Sequence, residues 1–391
     1  MKKQQILLIS SNPVGWESTN KYGGGEIITK NFTDNITNFN YKVLSVSPNP
    51  FVNNQHINVT NLTLPFRQNL NFIKTFLDFL IWGYKTITWG TNKKNSFDIV
   101  YASTTNISDF VPALIIAKLT QKKLITKLHI SIYNGNGKFL AILKNIKLEK
   151  YTTLNALLIT IPAYITLKLL RFADLVICTS ELLEYSLIST GINKDKVCVI
   201  ENGIDINKIN KVISDSYKNK IYDLCFVARL TKYKGIYEFV KIVKILKNIN
   251  PNIKAIVIGQ GPEQQNIKNL IIKYKLQNNV KLLGFLKDER FKFMAKSKYL
   301  LALSVSSEGY GLTIAEGLVC KTKVIALQNS VLQNVYKSYS NVTFANDIEG
   351  VIKNIDLGNY IATNINISEF DIAQKAKEEE KIIETKTKQR G

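Results

Sequence analysis

Short apolar, β-branched runs alternate with longer stretches of helical period along this 391-residue chain, and the series occurs twice. Such alternation belongs to parallel sheets whose strands are joined by crossover helices. The first series is Ile6–Ser10, Val43–Val46, Phe97–Ala102, Lys123–His129, Leu175–Thr179 and Val197–Glu201. Residues 202–220 then break the rhythm with Asn202-Gly203 and a polar stretch that reads as a linker. The series restarts with Asp223–Ala228, Lys254–Gly259, Val280–Phe285, Tyr299–Leu303 and Lys323–Ala326, with helical segments near 235–248, 262–276, 288–296 and 311–320. The expected fold class is α/β: two Rossmann-like doubly wound domains, each large enough to bury its own core, facing across a cleft that is the natural ligand site. The expected boundaries are a domain at 1–205, a linker at 206–220, a second domain at 221–365 and a charged C-terminal helix or tail at 366–391. Lys and Glu at helical spacing in 372–390 predict that this last helix is exposed.

Charge narrows the function classes. Lys and Arg total 52 against 30 Asp and Glu, a formal +22, which first points to nucleic acid or an anionic membrane. Five of the 52 are Arg, and residues 1–212 and 213–391 each carry a net +11, so the excess reads as lysine-rich composition spread over the molecule. A basic nucleic-acid-binding protein stays as the alternative of another class, but no helix-turn-helix, zinc-finger or aromatic RNA-binding motif is present, and no nucleic-acid partner is expected. The four cysteines, Cys178, Cys198, Cys225 and Cys320, lie on apolar runs without a CxxC pair and read as buried free thiols of a reducing compartment. Met-Lys-Lys-Gln-Gln is followed by an apolar run of four, too short for a signal peptide, so the expected location is cytoplasmic.

The densest chemical signal is Ser306-Ser-Glu308-Gly309-Tyr-Gly311-Leu312-Thr313-Ile-Ala-Glu316, directly after a buried run and directly before a helical one. A glycine turn at a strand's carboxyl end, followed by a helix N-terminus, presents backbone N–H groups and a positive dipole end to an anion such as a diphosphate. Glu308 and Glu316 would repel phosphate, so they are read as acceptors for sugar hydroxyls. The bland alternative is a strand–helix loop with two solvated glutamates. At the end of the domain's first run, Ala228-Arg229-Leu-Thr-Lys-Tyr-Lys234-Gly235 offers a guanidinium fork and a point charge five apart across another strand–helix turn, a clamp for a diphosphate or else a basic surface turn. Gly259-Gln-Gly261-Pro262 follows the next run toward the same side. No Asp-x-Asp occurs, so no divalent metal and no other cofactor is expected, with Arg229 and Lys234 in place of metal charge.

These elements in order resemble the retaining family 4 glycosyltransferases of the GT-B fold: Arg229 with Lys234-Gly235, Gly259-x-Gly261-Pro262, Leu283-Gly284-Phe285, and Glu308-Gly-Tyr-Gly-Leu-Thr-x-x-Glu316. Upstream, Gly23-Gly24-Gly25-Glu26, His129, Ala173-Asp174 through Ser180-Glu181, and Val199 through Asp205 match further landmarks, so the likeness spans most of the chain. The resemblance implies transfer of a hexose-type sugar from a nucleotide-diphosphate sugar to a hydroxyl acceptor, lipid-linked or a growing glycan, by front-face displacement with retention. It implies that Arg229 and Lys234 bind the donor diphosphate and Glu308 holds the transferred sugar. Glu316 accepts from the ribose, and Gly309, Gly311, Leu312, Thr313 and Gly261 line the donor site. Gly23, Gly24 and Gly25 let the diphosphate approach, and His129 stands beside the sugar where the acceptor arrives. An epimerase or inverting transferase of the same fold is the alternative. After Glu316 the chain departs from the family's Gly-x-Pro and Gly-Gly turn, carrying Lys321-Thr-Lys323 and Gln328-Asn-Ser-Val instead, so donor-sugar preference does not carry over.

Lys118–Lys150 holds eight lysines and one acidic residue, Glu149. Beside it Leu154–Leu170 is nearly all apolar, and 69–89 carries Phe72, Phe76, Phe79, Leu80 and Trp82 with Lys74 and Lys85. These segments read either as peripheral contacts with an anionic membrane on its inner face or as core helices of the first domain. Seventeen residues interrupted by Asn155, Pro162 and Lys168 are a poor membrane span.

Overall fold

The computed structural model describes residues 3–11, 24–47, 49–65, 72–129, 138–148, 153–304, 308–356 and 367–388. The chain divides into two compact units, the first of residues 1–143, 157–203 and 372–391 and the second of 144–156 and 204–371.

In the first unit seven strands, β1 (Gln5–Ser10), β2 (Asn40–Ser45), β3 (Ile57–Asn61), β4 (Ile99–Ala102), β5 (Lys123–Leu128), β6 (Leu175–Cys178) and β7 (Val197–Val199), form one parallel sheet in the order β3-β2-β1-β4-β5-β6-β7. Every residue of β4 and β6 is buried, as is all of β1 after Gln5, which is why these strands read as unbroken apolar runs: both faces are covered. In the second unit β8 (Tyr222–Val227), β9 (Ala255–Ile258), β10 (Val280–Gly284), β11 (Ser297–Ala302), β12 (Lys323–Leu327) and β13 (Val342–Ala345) pair, all parallel, in the order β10-β9-β8-β11-β12-β13. Strand order reverses between β1 and β4 in one sheet and between β8 and β11 in the other, and ligands of such sheets bind at the strands' carboxyl ends at this point.

Two edge strands, β3 and β13, were not anticipated. Each is short with at most one buried residue, so neither leaves a continuous apolar signature. The linker expected at 206–220 is instead the helix Ile206–Ile213 and a short turn at Ser216–Lys218. Asp205 caps that helix by accepting from Lys208 N–H at 2.8 Å, and Ile209 and Ile213 enter the second unit's core. The isoleucines at 206, 209 and 213 have helical spacing that the surrounding Asn and Lys obscured.

The C-terminal helix, Ile372–Lys388, is not the exposed appendage its charge predicted. Ala376 and Ile383 are fully buried in the first unit and Glu379 is 1% exposed. Lys127 Nζ on β5 donates to Glu379 Oε2 at 2.8 Å, and Tyr101 Oη on β4 donates to Oε1 at 2.7 Å. The Lys127 ammonium also stands 3.3 Å from the Phe32 ring centroid. Burial lowers the Lys127 pKa, and the Glu379 charge works against that shift. The helix's first turn lies so close to Gly203 that a Cβ there would stand 2.5 Å from Ile372 Cα, which makes glycine obligatory.

Candidate functional site

The second unit's switch point gathers the sequence-derived residues on two neighbouring strand ends. Beyond β8 the chain runs through Ala228 and Arg229 into the turn Lys232–Lys234, and Gly235, at φ +83°, opens the helix Ile236–Ile249. A Cβ at Gly235 would stand 2.2 Å from the Leu303 carbonyl oxygen beyond β11. That close approach carries Lys234 to Glu308, and the ammonium donates to Glu308 Oε1 in an ion pair about three-quarters shielded from solvent. Burial would raise the Glu308 pKa, but the Lys234 charge and hydrogen bonds from Lys234 and Ser304 outweigh it and hold the carboxyl below its ordinary value.

Past Glu308 the chain turns at Gly311, φ +73°, into the helix Leu312–Val319. Among the described residues no side chain caps this helix, and its first turn has no acidic residue, so the N–H groups of Leu312 and Thr313 lie at its positive end. Tyr336, fully buried, donates its hydroxyl to the Gly311 carbonyl at 3.3 Å and holds the turn in place. One turn into the helix, Glu316 is gripped by a residue that the motif reading did not include. Arg290 Nη2 donates to Oε1 at 2.6 Å and Nε to Oε2 at 3.4 Å. Burial works to lower the Arg290 pKa, but the charges of Glu316 and Asp288 raise it, so the pair is ionic. The two glutamates flanking the glycine turn are therefore each paired with a cation. Each pairing offsets the charge with which the carboxylate would otherwise repel a phosphate.

Gly261, expected to line the donor site, is required by the fold itself, since a Cβ there would stand 2.4 Å from the Leu230 carbonyl. A Cβ at Gly259, φ +144°, would likewise stand 1.9 Å from the Ala228 carbonyl oxygen. The GxG pair thus lets the loops that follow β8 and β9 lie backbone to backbone. Gly309 is buried in the turn, and Leu312 and Thr313 are partly exposed at its helix start.

In the first unit the corresponding switch point joins Gly25 and His129. Gly23 lies outside the described residues; Gly24 begins the helix Gly24–Asn35. A Cβ at Gly25 would meet His129 Cδ2 at 3.2 Å and Thr104 Cγ2 at 3.3 Å, so a larger residue would press on the imidazole. His129 Nε2 lies 3.1 Å from the Ser103 carbonyl, which accepts only, so Nε2 carries the proton and Nδ1 is left as an acceptor, buried and without a partner among the described residues. Burial first, then the Lys127 charge two residues upstream, push its pKa down to about 3. Asp109 was also missed. It accepts from Ser11 N–H at 2.7 Å, Ser103 Oγ at 2.9 Å and Thr104 Oγ1 at 2.8 Å, tying the ends of β1 and β4 together from the first turn of helix Ile107–Thr120. Burial raises its pKa against those hydrogen bonds.

The membrane-facing expectation divides. Trp82 is fully buried, its Nε1 donating to the Ser108 carbonyl at 2.8 Å, so it is core. Lys127 is paired with Glu379 and Lys123 with Asp174 at 3.0 Å, which takes two lysines out of the basic cluster. Residues 130–137 and 149–152 of that region lie outside the described residues. Among the described residues no helix is long and apolar enough to cross a membrane.

Comparison with known proteins meets the same two halves. Residues 22–208 match the family model described as Glycosyltransferase Family 4, and residues 208–357 match Glycosyl transferases group 1. An uncharacterised glycosyltransferase of Methanocaldococcus jannaschii is 28% identical over 240 residues, 60% of this chain and 58% of that protein. The Campylobacter jejuni enzyme named N-acetylgalactosamine-N,N′-diacetylbacillosaminyl-diphospho-undecaprenol 4-alpha-N-acetylgalactosaminyltransferase is 26% identical over 47% of each chain. The matched segments thus span about half to three-fifths of these curated relatives. Among solved structures, Anabaena HepE in complex with UDP and glucose superposes with a TM-score of 0.70 at 20% identity, covering 97% of this chain and 99% of that one. With two consecutive family models covering residues 22–357 and a parallel doubly wound sheet in each half, this chain belongs to the family 4 glycosyltransferases of the GT-B fold.

Proposed function

We propose that this protein is a retaining glycosyltransferase that moves a hexose-type sugar from a nucleotide-diphosphate sugar to a hydroxyl acceptor, without a metal ion. The observation that carries the reading is the second unit's switch point: an uncapped helix start at Gly311 with the Lys234–Glu308 pair beside it and Arg229 on the neighbouring strand end. Arg229 and Lys234 supply the positive charge that the departing diphosphate needs. The pair with Glu308 orients the Lys234 ammonium. Glu308 stays ionised and accepts from hydroxyls of the transferred sugar, and Glu316 accepts from the ribose. In the proposed step the C1–O bond to the phosphate breaks and the acceptor oxygen bonds C1 from the same face. The acceptor's proton passes to the leaving phosphate, so no protein nucleophile is required. His129, neutral through the working pH range, serves acceptor recognition. HepE's complex with UDP and glucose supports a nucleotide-sugar donor.

The acceptor is proposed to be lipid-linked, or a growing glycan, and the protein peripheral at an anionic membrane. Phe76, Leu80 and Tyr84 on the helix Phe72–Asn92 are 51%, 49% and 72% exposed, and Leu140 on the helix Phe139–Leu148 is 75% exposed, with lysines between them. The Campylobacter relative, whose name includes diphospho-undecaprenol, supports the same class. Flotation with phosphatidylglycerol vesicles at low salt is expected to carry the protein and phosphatidylcholine vesicles to leave it behind; equal partitioning would end the membrane proposal.

The test of the reaction is release of nucleoside diphosphate from UDP-, GDP- and ADP-hexoses with anomeric analysis of the product by NMR. Glu308→Ala and Arg229→Ala are each expected to lower kcat by about 10²-fold or more with the fold intact. A fully active Glu308→Ala protein, or a product of inverted configuration, contradicts the proposal.

A further inference from the structure

Asp109 is 2% exposed, and no cation among the described residues pairs with it. A carboxylate in that setting is unfavourable unless hydrogen bonds replace its water. Three donors do so, and they come from both strand ends at the first unit's switch point. Oδ1 accepts the Ser11 N–H at 2.7 Å, where the chain leaves β1 for the Gly23–Gly25 motif. Oδ2 accepts the Ser103 hydroxyl at 2.9 Å and the Thr104 hydroxyl at 2.8 Å, just past β4.

Ser103 and Thr104 are in turn the residues that touch His129 and the start of the helix Gly24–Asn35. The Ser103 carbonyl lies 3.1 Å from His129 Nε2 and accepts from Thr29 Oγ1 at 3.3 Å, while its N–H donates to the Ile9 carbonyl at 2.9 Å. A Cβ at Gly25 would meet the Thr104 methyl at 3.3 Å and the His129 ring at 3.2 Å. One carboxylate thus stands behind the peptide that fixes the imidazole proton on Nε2 and the methyl group that packs beside Gly25. Thr104 Oγ1 already accepts the Asn106 N–H at 3.1 Å, so its own proton is directed to Asp109. An asparagine at 109 accepts on one side only. Whichever way its amide faces, either two N–H groups oppose each other at Ser11 or two hydroxyl protons lose their acceptor.

We propose that Asp109 is a positioning residue of the transfer reaction: through Ser103 and Thr104 it sets the tautomer and place of the His129 ring against Gly25, and through Ser11 it holds the start of the chain leading to the glycines. The kinetic consequence rests on the nucleotide-sugar reading above; the placement of the ring does not.

The test uses the full chain as wild type, as Asp109→Asn, and as the double variant Ser103→Ala with Thr104→Val, which removes two of the three donors and keeps the carboxylate. Circular dichroism and thermal melting confirm folding. The chain has two histidines, so protein labelled with 15N-histidine gives two sets of imidazole signals, and His129→Asn identifies which set is His129's. Wild type is expected to show a single Nε2–H tautomer for His129. Asp109→Asn is expected to shift that set and mix in the Nδ1–H tautomer while the His56 set stays in place. Its release of nucleoside diphosphate from the hexose donor that wild type hydrolyses is expected to fall about tenfold or more. Its dissociation constant for that nucleoside diphosphate is expected to stay within about twofold of wild type, because the proposed diphosphate ligands Arg229 and Lys234 belong to the second unit. The double variant is expected to share these changes, which identifies the two hydroxyls as the route. Should Asp109→Asn fail to fold, the double variant decides. An unmoved His129 set, or unchanged turnover, in folded Asp109→Asn overturns the role. A loss of nucleotide affinity large enough to account for the lost turnover overturns it as well. Wild type that neither binds nor hydrolyses UDP-, GDP- or ADP-hexoses overturns the nucleotide-sugar reading, and the His129 signals still decide whether Asp109 places the ring.

Discussion

His129 sits just past the end of β5, two residues beyond Lys127, and burial together with that neighbouring charge keeps its ring neutral, with a pKa lowered to about 3. The unfolded chain protonates the same ring near its ordinary value of about 6.5. Between those two values the unfolded state binds the extra proton, so stability is fully present above about pH 6.5 and falls as pH drops, by up to about 1.4 kcal/mol per pH unit. Urea midpoints measured from pH 7 to pH 4 are expected to decline less steeply in His129→Asn than in wild type; parallel curves would show that the ring is not held neutral. Residues differ in how far the chain itself discloses them. Lys234, Gly235, Glu308, Gly311 and Glu316 are legible because each belongs to a strand–turn–helix whose composition is unusual over a few positions. Arg290 is not, because its partner Glu316 lies 26 residues away, and the tie Asp109 makes to Ser11 spans 98 residues, so no local pattern records either pairing.

At the scale of elements, the charged C-terminal segment shows why composition misplaces a helix. Lys and Glu in 372–388 describe its outer face correctly, but Glu379 turns inward to an ammonium 252 residues earlier in the chain. Once that pair is buried, removing one partner leaves an uncompensated charge, which costs about 3–5 kcal/mol. Glu379→Ala is therefore expected to lower thermal stability strongly, and Lys127→Met with Glu379→Leu to recover most of the loss. If the double variant is as unstable as the single one, the cost lies in lost packing and not in the orphaned ammonium. The linker that proved to be the helix Ile206–Ile213 teaches the same lesson from the other side: three isoleucines at helical spacing outweigh the polar residues between them once there is a core to bury them.

For the whole molecule, the chain's last helix completes the unit in which the chain began. Deleting residues 372–391 uncovers the buried hydroxyl of Tyr101, the Lys127 ammonium and the apolar groups beneath Ala376 and Ile383. Limited proteolysis of that truncated protein is expected to cut within 1–203 well before 204–371, whereas an unchanged cleavage pattern would mean the helix contributes little. The formal charge of +22 likewise resolves into different parts: Lys127 buried, Lys234 and Arg290 neutralising glutamates, and the exposed remainder available to solvent or an anionic surface.

The sequence by itself determined the two doubly wound sheets and the strand ends on which the glycine turns and ionic residues fall, because periodicity and turn chemistry are local and repeat within a few residues. The tertiary structure alone decided which charge meets which: Lys234 with Glu308, Arg290 with Glu316, Lys127 with Glu379. Those pairings depend on strand order, and strand order is set by how whole elements bury their faces, which no short stretch of chain encodes.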